Sequence, residues 1–387
     1  MNGKKIVTLL NKIIPKKKLV IFTSFPPFRD NAWALYDYII TERPDILEKY
    51  QLIWAQDDVR LDVERKHIGR IKCIKKNSLW GIWNFLRAEI IISTHDYFSN
   101  VFPGKGQRQI NLWHGNGYKV IPERDRVYRG DYSIGTSDIF VPIIANKFGI
   151  KKENIWITGL PRNDALFKQT GELEKITKGR NYKKVLFWMP TYRKARINHA
   201  GIDGNINEFG LNVFLNSDFE IFDRLLEERN YLLLIKPHPM EDISSISIHK
   251  SENIRFMTNE TFEEKNLDLY KLLAEVDVLL SDYSSVVIDF LLCDKPIAMI
   301  CSDISEYGDN RGFVLNPVNE FFPGPIISSA KEFQDYIEDI DQINEEWKGK
   351  RKELKHVFHK YVDANSSVRV CEQIFGKIDA SNKGAVQ

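Results

Sequence analysis

Short apolar runs, each followed by a helix-like stretch, recur along this chain in two blocks. The runs at 19–22, 51–55, 71–74, 90–93, 109–113, 139–144 and 154–158 form the first block. Those at 185–189, 232–235, 254–257, 276–280 and 297–300 form the second. Most are continuous in Ile, Val and Leu, the pattern of parallel strands covered on both faces. Helix patterns fit between them, for example at 218–229 and 267–275. The alternation predicts an α/β chain of two doubly wound, Rossmann-like domains facing each other across a cleft. The 387 residues exceed one ordinary core and suffice for two. The expected domains span 18–170 and 180–365, with a basic segment at 1–20, a polar linker at 168–184 and a tail at 366–387. Segment 195–210 is a long irregular loop, 332–358 reads as charged helices, and 379–387 as a disordered end.

Composition narrows the class. Hydrophobic residues at 43% and charged residues at 28% suit a folded soluble protein. The net charge is only +2, but residues 1–20 hold Lys4, Lys5, Lys12, Lys16, Lys17 and Lys18 with no acid, which leaves the remainder near −4. Ile6, Val7, Leu9, Leu10, Ile13 and Ile14 lie between those lysines. Such a segment is either a short amphipathic helix for an anionic membrane surface or a solvated basic end before the first strand. No apolar run nears the roughly 20 residues that span a bilayer, and a signal peptide's apolar core and cleavage site are missing. Cys73, Cys293, Cys301 and Cys371 are scattered, as expected of reduced thiols in the cytoplasm. P-loop, GxGxxG and HExxH patterns are absent. The one DxD, Asp339-Ile340-Asp341, falls in a charged helix pattern and reads as a solvated face. No metal site, cofactor or nucleic-acid partner is expected.

The chemistry-bearing residues cluster where the apolar runs stop. Trp113-His114-Gly115-Asn116-Gly117-Tyr118-Lys119 follows one run. The glycines permit a tight turn that presents His114 as a proton acceptor, with Lys119 for an anion; a turn histidine satisfied by backbone is the plainer reading. Thr158-Gly159-Leu160-Pro161-Arg162-Asn163-Asp164 is a βα corner whose Asn163 or Asp164 caps the next helix, while Arg162 suits a phosphate or carboxylate clamp. Met189-Pro190-Thr191-Tyr192-Arg193 ends the first run of the second block, with Thr191 and Arg193 available to phosphate. In Lys236-Pro237-His238-Pro239 two prolines fix His238 beside a lysine, and a cationic His there suits a diphosphate. Ser281-Asp282-Tyr283-Ser284-Ser285 joins a strand directly to a helix. Its amides and two hydroxyls suit phosphate, with Asp282 capping or orienting the junction; an ordinary Ser N-cap is the alternative. Region 307–326 has loop chemistry, and its Asp309 and Arg311 are substrate-contact candidates.

Taken in this order, the motifs resemble the CDP-glycerol glycerophosphotransferase family of teichoic acid and capsule synthesis. The matching pieces are Trp113-His114-Gly115, Gly159-Leu160-Pro161-Arg162-Asn163-Asp164, Pro190-Thr191-Tyr192-Arg193, Lys236-Pro237-His238-Pro239, Asp282-Tyr283-Ser284-Ser285, and Arg311-Gly312-Phe313 with Pro323-Gly324-Pro325. Ser24 with Asp30-Asn31 fits the first strand exit. The likeness covers 18–365. It implies a GT-B-like fold, with 18–170 on the acceptor side and 180–365 binding the donor. It also implies transfer of a polyol phosphate from CDP-glycerol to a hydroxyl of a lipid-linked acceptor, with release of CMP. By motif, His114 and His238 are the catalytic residues, with His114 the general base. His238, Ser284, Ser285, Asp282, Pro190, Thr191, Arg193, Lys236 and Arg311 serve the donor, and Gly115, Asn116, Lys119, Arg162 and Asp309 the acceptor or cleft. The implied place is the inner membrane face, with the enzyme cytoplasmic and peripheral. CDP-ribitol as donor, a nucleotide-sugar glycosyltransferase or epimerase, and a non-catalytic scaffold are the alternatives. The family often has HGT followed by Pro or an apolar residue. Here His114-Gly115-Asn116-Gly117 departs from it, which leaves the acceptor open. The chain is near the family's minimum size, which favours addition of a single unit.

Overall fold

The computed structural model describes residues 3–57, 71–95, 97–98, 101–120, 130–192, 211, 214, 219–238, 241 and 251–377. Arg193, Pro239, segment 195–210 and the end at 379–387 lie outside the described residues. The chain divides into two compact units. One comprises Met1–His114, Glu123–Asp164 and His359–Gln387; the other comprises Gly115–Pro122 and Ala165–Phe358.

The first unit holds seven parallel strands: β1 (Lys17–Thr23), β2 (Gln51–Gln56), β3 (Cys73–Lys75), β4 (Ala88–Ser93), β5 (Arg108–Asn111), β6 (Tyr132–Gly135) and β7 (Ile155–Ile157). Their order is β3-β2-β1-β4-β5-β6-β7. The strands are buried on both faces, as their unbroken Ile, Val and Leu content requires. Val20, Phe22, Trp54, Ile90 and Ile92 pack with Leu35 and Ile39 of helix Asp30–Glu42 and with Val370 and Ile374 of helix Ser366–Phe375. Ile21, Ile53 and Ile91 pack on the other face with Phe85 and Leu86 of helix Leu79–Arg87, joined by Val7, Leu10 and Ile14.

The second unit has six parallel strands: β8 (Lys184–Met189), β9 (Tyr231–Ile235), β10 (Ile254–Phe256), β11 (Val278–Ser281), β12 (Ile297–Ile300) and β13 (Ile326–Ile327), ordered β10-β9-β8-β11-β12-β13. In both sheets the order reverses beside the first strand, between β1 and β4 and between β8 and β11. Open α/β sheets bind ligands outside the carboxyl ends of the strands at such a reversal.

Four expectations change. The apolar run at 139–144 is not a strand. It is a 3-10 turn, Asp138–Phe140, followed by helix Val141–Phe148. Pro142 in the first helical turn and Gly149 at φ 63 after the last explain it. The strand in that place is β6. Half of region 307–326 is regular, holding the end of helix Ile304–Arg311, the 3-10 helix Val318–Phe321 and the start of β13; the rest is loop as expected. The tail from 366 is helix Ser366–Phe375, built into the first unit's core. Asp164 caps that helix by accepting from the Ser366 and Ser367 amides, both at 2.8 Å.

Candidate active site

In the first unit the exit of β5 carries His114. Trp113 sits at φ 51 and Gly115 at φ 111, so the chain reverses sharply around the histidine; the value at Gly115 is one that a side chain would strain. Buried Asn31 holds this exit, its Nδ2 donating to the carbonyls of Leu112 (3.1 Å) and Trp113 (2.9 Å). The half-buried His114 ring lies 3.6 Å from the Trp113 ring and 4.8 Å from His95, nearly parallel to the latter at 11°. Lys147 Nζ stands 3.2 Å from the Trp113 ring centroid.

Arg162 does not present a free clamp. It is buried and donates to Asp30 Oδ1 at 2.7 Å, while its amide donates to Asn31 Oδ1 at 3.2 Å. This corner braces the exits of β1 and β7, so the guanidinium acts on the frame around His114.

The second unit gathers its motifs at the β8/β11 reversal, where Ser281 pairs in register with Met189. Buried Asp282 accepts from the Thr191 amide (3.1 Å) and hydroxyl (2.8 Å). The Thr191 proton is therefore committed to Asp282. These two residues, with Pro190 between the strand and Thr191, fix the strand exits and do not offer donors to an anion. Ser284 caps helix Ser285–Phe290, its Oγ accepting from the Val286 amide. That is the ordinary N-cap role, and it leaves the hydroxyl proton for another acceptor. Tyr283 donates to Asp303 at 3.0 Å and Tyr270 to Asp289 at 2.7 Å, which holds the junction from both sides.

The segment just after His114 belongs to this second unit. A Cβ on Gly117 would meet the Ser285 nitrogen at 3.2 Å and its Cα at 3.3 Å, so only glycine passes the helix start without displacing it. Lys119 bridges Phe313 in antiparallel fashion. The Val314 amide donates to the Tyr118 carbonyl (2.8 Å), and the Val120 amide to that of Gly312 (2.9 Å). Buried Tyr118 donates to the Phe321 carbonyl at 3.0 Å. The expectation that Gly115, Asn116 and Lys119 lie on the first domain is thus corrected. Within that unit Gly117 packs on Ser285, and Lys119 pairs with the Gly312-Phe313 turn that follows half-buried Arg311. Asn116 is buried too, and its Nδ2 has no hydrogen-bond partner among the described residues. Asp309, by contrast, is exposed on its helix.

His238 follows β9, its ring 5.2 Å from Tyr192. Burial pushes its imidazole down to about 4, and Lys119 and Lys236 push the same way. The expected cationic His238 is corrected accordingly: it is neutral at pH 7, and the positive charge here belongs to the lysines. Lys236 also donates to Asn259 Oδ1 at 3.3 Å.

His95, whose ring stacks on that of His114, is not among the residues singled out from the sequence. The signal was present, since Ser93-Thr94-His95 ends an apolar run just as Trp113-His114 does.

Residues 6–376 match the family model described as CDP-Glycerol:Poly(glycerophosphate) glycerophosphotransferase. The chain belongs to this family. Its curated relatives include the teichoic acid glycerol-phosphate transferase of Staphylococcus aureus (strain NCTC 8325 / PS 47), 27% identical over 95% of each chain. The teichoic acid ribitol-phosphate polymerase TarL of the same strain is 29% identical over 70% of this chain and 48% of its own. Among solved structures, the wall teichoic acid polymerase TagF superposes with a TM-score of 0.73, at 22% identity over 96% of this chain and 93% of that one. That likeness supports a GT-B-like fold. A glycerophosphotransferase of this family is an enzyme that acts on a CDP-polyol. Among the described residues no group of three or more His, Cys, Asp or Glu is placed to hold a metal, and no helix is long and apolar enough to cross a membrane.

Proposed function

We propose that this glycerophosphotransferase moves glycerol phosphate from CDP-glycerol to a hydroxyl of a lipid-linked acceptor in teichoic acid or related polymer synthesis. The acceptor oxygen attacks the glycerol-bearing phosphorus, the bond from that phosphorus to the CMP oxygen breaks, and CMP leaves. His114 takes the hydroxyl proton. Lys119, Lys236 and Arg311 balance the charge of the diphosphate, and neutral His238 donates a hydrogen bond to it. The hydroxyls of Ser284 and Ser285 and the Ser285 amide complete the seat. The observation that carries this reading is the packing of Gly117 on Ser285, which brings the segment after the base onto the start of the donor-side helix.

The proposed location is the inner face of the membrane. Helix Gly3–Ile13 turns Val7, Leu10 and Asn11 inward and leaves Ile6, Leu9 and Ile13 exposed next to Lys4, Lys5 and Lys12. It is no loose end. Asn11 Nδ2 donates to Gln107 Oε1 (2.8 Å) and the Phe102 carbonyl (2.9 Å), and Lys16 Nζ donates to Asn11 Oδ1 (2.8 Å) and the Leu86 carbonyl (2.6 Å). Over the same core lies helix Leu79–Arg87, with Leu79 88%, Trp80 53% and Trp83 41% exposed. Segments 3–18 and 71–88 contain no acid. Aromatic and aliphatic side chains amid lysines suit the surface of an anionic bilayer.

Incubation with CDP-glycerol, CDP-ribitol and UDP-sugars, with a lipid-linked acceptor, tests the donor. CMP release from CDP-glycerol supports the reading. Release from CDP-ribitol alone transfers the assignment to ribitol, the polyol named for TarL. Turnover of UDP-sugars without CMP release from either CDP-polyol refutes it.

A further inference from the structure

We propose that His95 is a positioning residue for His114, a flat ring on which the base is stacked and held as it takes the proton from the acceptor hydroxyl. The inference rests on reading His114 as the base. His95 follows β4, the strand paired with β1 and β5 at the first sheet's reversal, where Ser93 is in register with both Thr23 and Asn111. It thus leaves the first sheet at the reversal one residue beyond the position that Asp282 holds in the second.

The two rings lie 4.8 Å apart and within 11° of parallel, the offset-stacked arrangement that aromatic rings favour. His95 is itself fixed. Its Nδ1 is 3.1 Å from Thr94 Oγ1, and the Phe25 ring meets it edge-on at 5.9 Å. The Trp113 ring lies 6.3 Å away. The charged groups acting on His95 are Asp30, Lys76 and Lys147, with Asp30 engaged by Arg162. Burial holds the His95 imidazole below the ordinary histidine range. Lys76 and Lys147 push the same way, and Asp30 opposes them. His95 therefore stays neutral around pH 7. Two imidazoles this close resist carrying two protons, so the pair accepts one. A neutral ring face favours a cation on its partner. The proton from the acceptor hydroxyl then has one destination, and no oxidant or further reactant is involved.

The test uses full-length His95→Phe, His95→Ala, His95→Arg and His114→Ala proteins. It reads the titration of His114 by NMR without substrate, and the pH profile of CMP release from CDP-glycerol. His95→Ala should lower kcat by about 10- to 100-fold with KM for CDP-glycerol within about twofold, because orientation is lost and not affinity. His95→Phe, which restores the flat ring, should recover kcat to within about threefold of wild type. His95→Arg places a permanent cation on the stack and should move the His114 titration down by about one pH unit, while Phe leaves it in place. If His95→Arg fails to fold, the Ala and Phe pair decides by kcat alone. An unchanged His114 titration in His95→Arg, or wild-type kcat in His95→Ala, overturns the proposal. Wild-type turnover in His114→Ala instead overturns the reading of His114 as base. The NMR arm, which needs no catalysis, keeps the two failures apart.

Discussion

Gly117 lies against Ser285 so closely that a single added methyl would stand 3.2 Å from the Ser285 amide nitrogen. The neighbour is backbone at a helix start and cannot rotate aside. Gly117→Ala should therefore displace the Ser285 amide by a few tenths of an ångström and lower kcat/KM for CDP-glycerol by about tenfold. Urea unfolding of the same variant should show a smaller effect, about 1 kcal/mol, within the range for mild overpacking. Wild-type kinetics in Gly117→Ala would mean that the helix start does not meet the donor.

Asp282 and Thr191 form a buried pair that links the exits of β11 and β8. Asp282→Ala leaves the Thr191 amide and hydroxyl without their acceptor and should cost about 2–4 kcal/mol in urea unfolding. Thr191→Val removes only the hydroxyl and should cost about 1 kcal/mol. Equal losses in the two variants would show that the carboxylate does not serve the Thr191 amide.

The pH dependence of stability follows from His238. Its folded value, about 4, lies below the ordinary 6.5. Between those values the unfolded chain binds more protons, so this residue's contribution is intact above about pH 6.5 and is lost as pH falls toward 4. The full loss is about 3 kcal/mol. Carboxylates titrate in the same window, so the informative quantity is the difference between wild type and His238→Gln. That difference should shrink from pH 7 to pH 4. A difference that stays constant with pH would show that His238 titrates normally.

Membrane association should depend on both exposed helices. Sedimentation with phosphatidylglycerol-containing liposomes should weaken by about tenfold in Trp80→Ala with Trp83→Ala, given the apolar area withdrawn. Replacing Lys4, Lys5 and Lys12 by Gln should weaken it further and reduce its salt dependence, at about 1 kcal/mol per lysine near the surface. Binding indifferent to anionic lipid would contradict the proposed face.

Much of the fold was legible because the strands are buried on both faces and so lack polar interruptions. Each run that ends in a chemically distinct residue, such as Pro190 after β8 or Ser281 in β11, marks its own exit. The run at 139–144 misleads because a short apolar stretch fits strand and buried helix alike, and only Pro142 and Gly149 separate them. β13 has two residues, too few for a periodic signal. The site was half legible. His238 and Ser284 stand at strand exits, but the partners that set their roles are distant in sequence. No local pattern tells that Lys119 would help keep His238 neutral, that Asp30 would engage Arg162, or that Gly115–Pro122 would belong to the second unit and the chain from 123 return to the first.

The most direct test of the account is the mass of a lipid-linked acceptor after incubation with the enzyme and CDP-glycerol, read alongside the CMP released. The account predicts acceptor heavier by whole glycerol phosphate units, one CMP for each unit added, and neither change with His114→Ala. An acceptor of unchanged mass, or CMP released without matching growth of the acceptor, would contradict it.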